Sequence, residues 1–192
     1  MAKDRKTVDT LSYGLSRPTQ LLEKLELDAA KLCSSPNPYD VFNFIVTAAV
    51  LAEWTKNYYK TDDGPTPFGP PTKVKDEWTL PGTCEKWITD TTCLPNPAGG
   101  VTRHIQHMLS ICAHTANASK HFHWGDRGQI EAIGDKPPIK DWYQYFFTST
   151  APDLYVTYRG ENYGLQQIKG TLLQFYRGLI SQLEHTEQQK KD

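Results

Sequence analysis

The chain has 192 residues and a formal net charge of -1, and its 21 basic residues are spread along the sequence. A chain of this length suits one domain, residues 1–192, that buries well over half of its unfolded surface. The balanced charge excludes a nucleic-acid-binding tail and a polybasic membrane anchor.

The first residues, the longest apolar stretch and the cysteines indicate where in the cell the protein is located. The first residues are polar and charged, so we expect no secretory signal and a cytoplasmic protein. The longest apolar stretch, residues 41–52, is well short of the roughly 20 residues that a bilayer span needs, so we expect no membrane partner. The four cysteines show no zinc-binding spacing and are expected to be free thiols. A disulfide between Cys84 and Cys93 is the alternative for a secreted protein.

Two helices are predicted in the first third of the chain, after a flexible end at residues 1–14. Pro18 suits a first helical position, and apolar residues recur at helical spacing up to residue 33. Asn37 can cap a second helix that begins near Pro38 and runs to about residue 59. Because this helix is apolar nearly all round over its first three turns, we expect it to be central and the most buried.

A long loop is predicted next, over residues 60–100, which hold seven of the 13 prolines. Each proline ring removes a backbone donor and restricts the residue before it, so long regular elements are excluded. We expect one short helix at residues 85–91. Trp78 and Trp87 indicate an ordered loop, since disordered segments are poor in aromatic residues.

The second half of the chain predicts two more helices with a small sheet between them. The third helix covers residues 101–122, with its apolar face formed by Val101, Ile105, Met108, Cys112 and Ala116. Strands are predicted at residues 129–133, 142–148 and 154–158, with a turn at residues 159–162.

The last predicted helix covers residues 165–185, with a flexible end at residues 186–192. The predicted fold is therefore mainly α. It has a four-helix-bundle-like core, a long Pro-rich loop, and a small antiparallel β insert before the C-terminal helix.

The most distinctive segment is residues 103–124, which carry five of the 6 histidines. Opposite its apolar face, the third predicted helix presents His104, His107, His114, Asn117 and His121. These residues form no single site, because His104 and His121 are about 25 Å apart along the axis at 1.5 Å per residue. Three interpretations are open: a solvated or loop-covered polar face, a catalytic or ligand-binding face, and a metal site completed by Asp40 or Glu53.

The segment Ala116-Asn117-Ala118-Ser119-Lys120-His121 resembles the Arg-polar-xxx-His motif of HEPN domains. These domains are small helical bundles that often act as RNases in toxin and antiviral systems. Asn117 and His121 stand at the polar and histidine positions, and Ala116 replaces the arginine. The order of helices, loop and hairpin is also similar to that of bacterial helical-bundle proteins without an assigned activity. The resemblance implies a HEPN-like bundle.

RNA cleavage without a metal needs a base for the 2'-hydroxyl and a cation for the charge on the phosphorane. The resemblance makes His121 the candidate base, with Asn117 and Lys120 as further candidate catalytic residues. The candidate substrate-binding residues are His114, His107 and Arg103. No residue is assigned as a metal ligand, and no cofactor is expected.

Because the motif arginine is absent, we expect a small bacterial binding or accessory protein, in a defence or toxin-antitoxin system, rather than a nuclease. One alternative is a HEPN-type ribonuclease or nucleotide-binding protein that uses His121 and Asn117. A second alternative is a metal-dependent helical-bundle hydrolase. The expected partners are RNA or a nucleotide, another protein, and a second copy in a homodimer, the last because HEPN-type sites commonly form between two copies.

Overall fold

The computed structural model describes residues 14–32, 36–59, 72–74, 77–80, 100–121, 130–134 and 154–189. In these ranges the chain is mainly helical, with a small antiparallel sheet before the last helix, as predicted. The helices are α1 (Pro18–Lys31), α2 (Pro38–Tyr58), α3 (Gly100–His121) and α4 (Leu165–Gln189). The strands are β1 (Thr72–Val74), β2 (Glu77–Thr79), β3 (Ile130–Gly134), β4 (Tyr155–Tyr158) and β5 (Glu161–Gly164).

Local signals in the sequence set the starts of the first two helices. Pro18 takes the first turn of α1, where a missing backbone N–H costs nothing. The Asn37 side chain accepts a hydrogen bond from the Tyr39 backbone N–H at 2.7 Å, and Pro38 follows it at the start of α2. The predicted cap and both predicted helices are therefore confirmed. The fourth helix is confirmed too, and it continues through residues 186–189, which the sequence assigned to a flexible end.

The helices enclose one apolar core. Both α2 and α4 pack against α1 and α3, and the α2 side chains Phe44, Leu51 and Ala52 are fully buried. The Tyr176 hydroxyl of α4 donates a hydrogen bond to the Ala48 carbonyl of α2 at 2.8 Å, also inside the core. These contacts bury the middle of α2 as its sequence predicts, but α3, which packs against α2, α4, β2 and β4, is the more central helix.

The start of α2 is less buried than its apolar sequence suggests. Tyr39 is 79% exposed and Phe42 is 49% exposed, so continuous burial begins only at Phe44.

Further along the helix, a buried polar contact connects α2 to α1. Asp28 accepts hydrogen bonds from Thr47 at 2.7 Å and from Lys24 at 2.5 Å, which satisfies a carboxylate that would be costly to bury alone.

The three-stranded sheet is antiparallel, in the order β3-β4-β5, and a tight turn joins β4 to β5. The turn consists of Arg159 and Gly160, whose φ values of 50° and 73° are both positive, as a type I' hairpin turn requires. The strands predicted at residues 129–133 and 154–158 are confirmed. The predicted turn at residues 159–162 is wrong in extent, because a two-residue turn suffices and residue 161 already belongs to β5.

A second hairpin, formed by β1 and β2, lies within the predicted Pro-rich loop. Its two strands are too short to be predicted from the sequence pattern. The Trp78 backbone N–H donates to the Ser110 hydroxyl at 3.1 Å, which attaches β2 to α3. The short helix predicted at residues 85–91 and the strand predicted at residues 142–148 lie outside the described residues.

Two further findings bear on the predictions from composition. Among the described residues, no helix combines the length and the apolar character that crossing a membrane requires. Cys112 is a free, buried thiol in α3, and burial raises its pKa to about 12. The other three cysteines lie outside the described ranges.

Candidate functional site

The histidine face of α3 is covered by the β4–β5 hairpin. Five side chains meet where the first turns of α3 contact β5, and we call them the Glu161 cluster: Arg103, His104, His107, Glu161 and Tyr163. Three come from α3, where residues 103, 104 and 107 are neighbours on successive turns. The other two lie at alternate positions of β5, so both point to the same face of the sheet. At these described residues the face packs against strand β5, and the Arg103 and His104 side chains stay partly exposed.

Glu161 is the centre of this cluster. Its Oε1 is 2.9 Å from the guanidinium of Arg103, and its Oε2 accepts a hydrogen bond from the Tyr163 hydroxyl at 2.6 Å. The same Oε2 lies 3.5 Å from His107 Nδ1 and 3.9 Å from His104 Nδ1. One carboxylate therefore connects all four of the other side chains.

The hydrogen bonds determine which nitrogen of His107 carries the proton. His107 Nδ1 lies 2.6 Å from the Tyr163 hydroxyl, whose single proton is donated to Glu161. The tyrosine oxygen must then accept from Nδ1–H, so His107 is the Nδ1–H tautomer and the lone pair is on Nε2. The result is a hydrogen-bond chain that runs from His107 through Tyr163 to Glu161.

Burial sets the charge of the members of this chain. His107 is 8% exposed, and burial lowers its pKa, with Glu161 acting in the opposite direction without cancelling the effect. The hydrogen bond from Tyr163 lowers the pKa of Glu161, and Arg103 lowers it further. Burial raises the pKa of Tyr163. At neutral pH the chain therefore consists of a neutral imidazole, a protonated tyrosine and a carboxylate.

His104 differs from His107 in its exposure and its partners. Its side chain is 37% exposed, and its ring is edge-on to the Tyr163 ring at 5.7 Å between centroids. Its Nδ1 atom is buried and has no hydrogen-bond partner among the described residues. The 3.9 Å separation from Glu161 is too long for a hydrogen bond.

Aromatic and charged residues surround the cluster. The His107 ring is edge-on to the Tyr158 ring at 5.1 Å, and the guanidinium of Arg159 lies over Tyr158 at 5.7 Å from the ring centroid. Arg159 also forms an ion pair with Glu77 of β2. The backbone of Trp78 in β2 is hydrogen-bonded to α3. The ion pair therefore links the β1–β2 hairpin to the β4–β5 hairpin on the same side of α3.

The structure brings together two of the three predicted substrate-binding residues, Arg103 and His107. The third, His114, is two turns further along α3, about 10 Å along the axis from His107. Its ring contacts Tyr158 instead, at 6.1 Å between centroids. The predicted substrate-binding set is therefore spread over two positions on α3.

The predicted catalytic set lies at the other end of α3. Asn117 is half-buried and about 15 Å along the axis from His107. The side chains of Lys120 and His121 lie outside the part of the chain that the structure describes. Their assignment as catalytic residues stays a prediction.

Glu161 and Tyr163 are the two members of the cluster that sequence analysis missed. Both fell in or just after the predicted turn at residues 159–162, so neither was treated as a strand residue. The available signal was Gly160, since a glycine tolerates the positive φ that a two-residue hairpin turn requires. Recognising it would have placed residues 161 and 163 on one face of a strand.

The metal interpretation finds no ligand set in the described ranges, where no three His, Cys, Asp or Glu side chains are arranged to hold a metal ion. Glu53, one of the two carboxylates considered for such a site, lies instead 3.4 Å from the ammonium of Lys73.

In comparisons with known proteins, no family model, no curated protein and no solved structure matches the chain. The inference of function therefore depends on the geometry of the Glu161 cluster.

The lowered pKa of His107 predicts how stability depends on pH. The folded state disfavours the protonated imidazole, so the unfolded chain takes up this proton first as the pH falls below the ordinary pKa of 6.5. The stabilisation is fully present above about pH 6.5 and is lost as the pH falls through the lowered folded-state pKa.

Urea unfolding between about pH 7.5 and pH 5 measures this effect, in a range that stays above the titration of Glu161. We expect the free energy of unfolding to change less with pH in His107→Gln than in the wild type. His185→Gln is the matched control, because His185 is exposed on α4. Equal slopes for His107→Gln and the wild type would contradict the assignment.

Proposed function

We propose that this protein is a HEPN-like helical bundle that works as a cytoplasmic binding or accessory protein, in a bacterial defence or toxin-antitoxin system, with the Glu161 cluster as its recognition site. The observation that carries the proposal is the meeting of five chemically active side chains at one partly exposed position. Arg103 is 56% exposed, His104 37% and Glu161 33%, so this position is accessible to a partner.

The charges of the cluster favour binding over turnover. The guanidinium of Arg103 is already paired with Glu161 at 2.9 Å. Metal-independent RNA cleavage needs a cation directed at the developing phosphorane charge and a base that the substrate can reach. His107 is 8% exposed and its Nδ1 is engaged by Tyr163. These features suit recognition by charge pairs and hydrogen bonds.

The charge of the whole chain points to the class of partner. A protein that binds nucleic acid through its backbone phosphates needs a basic surface. This chain has a net charge of -1 and 22 acidic residues against 21 basic ones. The proposal therefore favours another protein or a small ligand over RNA.

A pull-down from a cell extract of the source organism tests this function. We expect a partner to be retained by the wild type and lost by Arg103→Gln. The control is Arg177→Gln. Arg177 of α4 forms an ion pair with Glu26 of α1 at 2.6 Å, and its side chain is 60% exposed, similar to that of Arg103. A partner that stays bound to Arg103→Gln, or no partner at all, would contradict the proposal.

The second candidate function is that of a ribonuclease, and one observation favours it. His107 is a neutral imidazole oriented by Tyr163 and Glu161, the arrangement that an imidazole general base needs. Arg103 lies one turn away on the same face of α3, where it can meet a phosphate. In this candidate the base is His107 or, as the resemblance implies, His121 with Asn117 and Lys120.

Incubation of purified protein with total RNA separates the two functions. The binding function predicts that the wild type leaves RNA as intact as His107→Ala and His121→Ala do. The ribonuclease function predicts cleavage by the wild type and a loss of at least about 100-fold in whichever variant lacks the base. Cleavage abolished by either substitution would replace the binding function with the ribonuclease.

A further inference from the structure

We infer that the Glu161 cluster binds an oxyanion, a phosphate or a carboxylate group, at Arg103 and His104, and that Glu161 is an internal competitor which the ligand displaces. This inference rests on the proposed function, because it names the chemical group that the recognition site accepts. The carboxylate of Glu161 occupies the position that an anionic group of the ligand would take.

Arg103 provides the cation of this oxyanion site. A guanidinium has five N–H donors in a planar fork that fits two oxygens of a carboxylate or phosphate. The structure shows one of its nitrogens, Nη2, at 2.9 Å from Glu161 Oε1. With 56% of the side chain exposed, the guanidinium can turn from Glu161 to an external oxyanion without crossing the core.

His104 supplies an independent reason to expect a further ligand. Its buried Nδ1 has no hydrogen-bond partner among the described residues, and an unsatisfied buried polar atom is destabilising. The nearest carboxylate oxygen, Glu161 Oε2, is 3.9 Å away and is engaged by Tyr163 instead. An oxyanion that replaces Glu161 can place an oxygen within hydrogen-bond distance of this nitrogen.

The charge balance explains why Glu161 suppresses binding. With Glu161 in place, its carboxylate cancels the charge of Arg103, so the electrostatic attraction between the site and an incoming anion is weak. When Glu161 is displaced or neutralised, Arg103 is left without its partner. Neutralising Glu161 by substitution removes the competing carboxylate, so oxyanion affinity should rise in Glu161→Gln.

Other charged and titratable groups also face this site. From the elements packed around His107 these are Arg159, Glu77, Tyr158 and Tyr163. Arg159 and Glu77 pair with each other, so their charges largely cancel. The competition for Arg103 therefore depends mainly on Glu161.

Titration with sulfate at about pH 8 tests the oxyanion site, since sulfate is a fully charged oxyanion at this pH. Binding is measured by calorimetry on the full chain. We expect saturable binding that is about five-fold tighter in Glu161→Gln than in the wild type at about pH 8, the scale of one partly exposed ion pair. Arg103→Gln should abolish binding, and His104→Gln should weaken it.

The pair between Glu26 and Arg177 gives matched controls, because it has similar exposure but lies between α1 and α4. Glu26→Gln and Arg177→Gln should leave sulfate binding unchanged. Helical circular dichroism confirms that each variant is folded. Should Arg103→Gln fail to fold, Glu161→Gln and His104→Gln decide the outcome by themselves.

Two results would overturn the inference: sulfate binding that is unchanged or weaker in Glu161→Gln, and binding that survives loss of Arg103. Its failure can be distinguished from failure of the proposed function. If Arg103→Gln loses a protein partner but sulfate never binds, the recognition site stands and the oxyanion assignment is wrong. If sulfate binds as described and no partner is captured, the oxyanion site stands and the accessory function is wrong.

Discussion

The hydrogen-bond chain from His107 through Tyr163 to Glu161 joins the helical bundle to the small sheet, and the arrangement of the candidate site depends on it. Both hydrogen bonds are 2.6 Å long, and Tyr163 is 1% exposed. In such a buried position an unpaired polar atom costs about 1–3 kcal/mol. Tyr163 satisfies a helix residue and a strand residue together, because its hydroxyl both accepts and donates. This constraint fixes the position of β5 on α3.

The other features of the site follow from that contact. The two-residue turn of Arg159 and Gly160 directs β5 back along β4 and brings Glu161 to the helix immediately after the turn. Arg103 pairs with the carboxylate at the outer side of the cluster, while Arg159 pairs with Glu77 and connects the second hairpin. The bundle itself provides the frame, since α3 packs against α2 and α4 and presents its histidine face to the sheet.

The sequence predicted the helices well because their signals are local. Pro18, Asn37 and the apolar spacing each act within a few residues, and the helices begin where these signals place them. The short strands were harder, since three residues contain too little of an alternating pattern to recognise. For this reason the hairpin of β1 and β2 was missed, and β5 was taken for a turn.

The candidate site was only half predictable, for a physical reason. Arg103 and His107 belong to one helix face, so their proximity follows from helical geometry alone. Glu161 and Tyr163 reach them from more than fifty residues away, through packing that no local pattern encodes. The neutral state of His107 depends on burial under Tyr158 and Tyr163, which is likewise a property of the folded chain. A single sequence therefore located the helix side of the site and left out its carboxylate.

The most direct test of this account is a double-mutant cycle between His107 and Tyr163, measured by urea unfolding at about pH 7.5 with His107→Gln, Tyr163→Phe and the double variant. A pair that shares a buried hydrogen-bond chain should show a coupling energy of about 0.5–3 kcal/mol. The parallel cycle of Tyr163→Phe with His185→Gln should be additive within about 0.5 kcal/mol, since His185 is exposed on α4. Additive effects for His107 and Tyr163 would show that the two side chains do not interact, and the Glu161 cluster would then not exist as described.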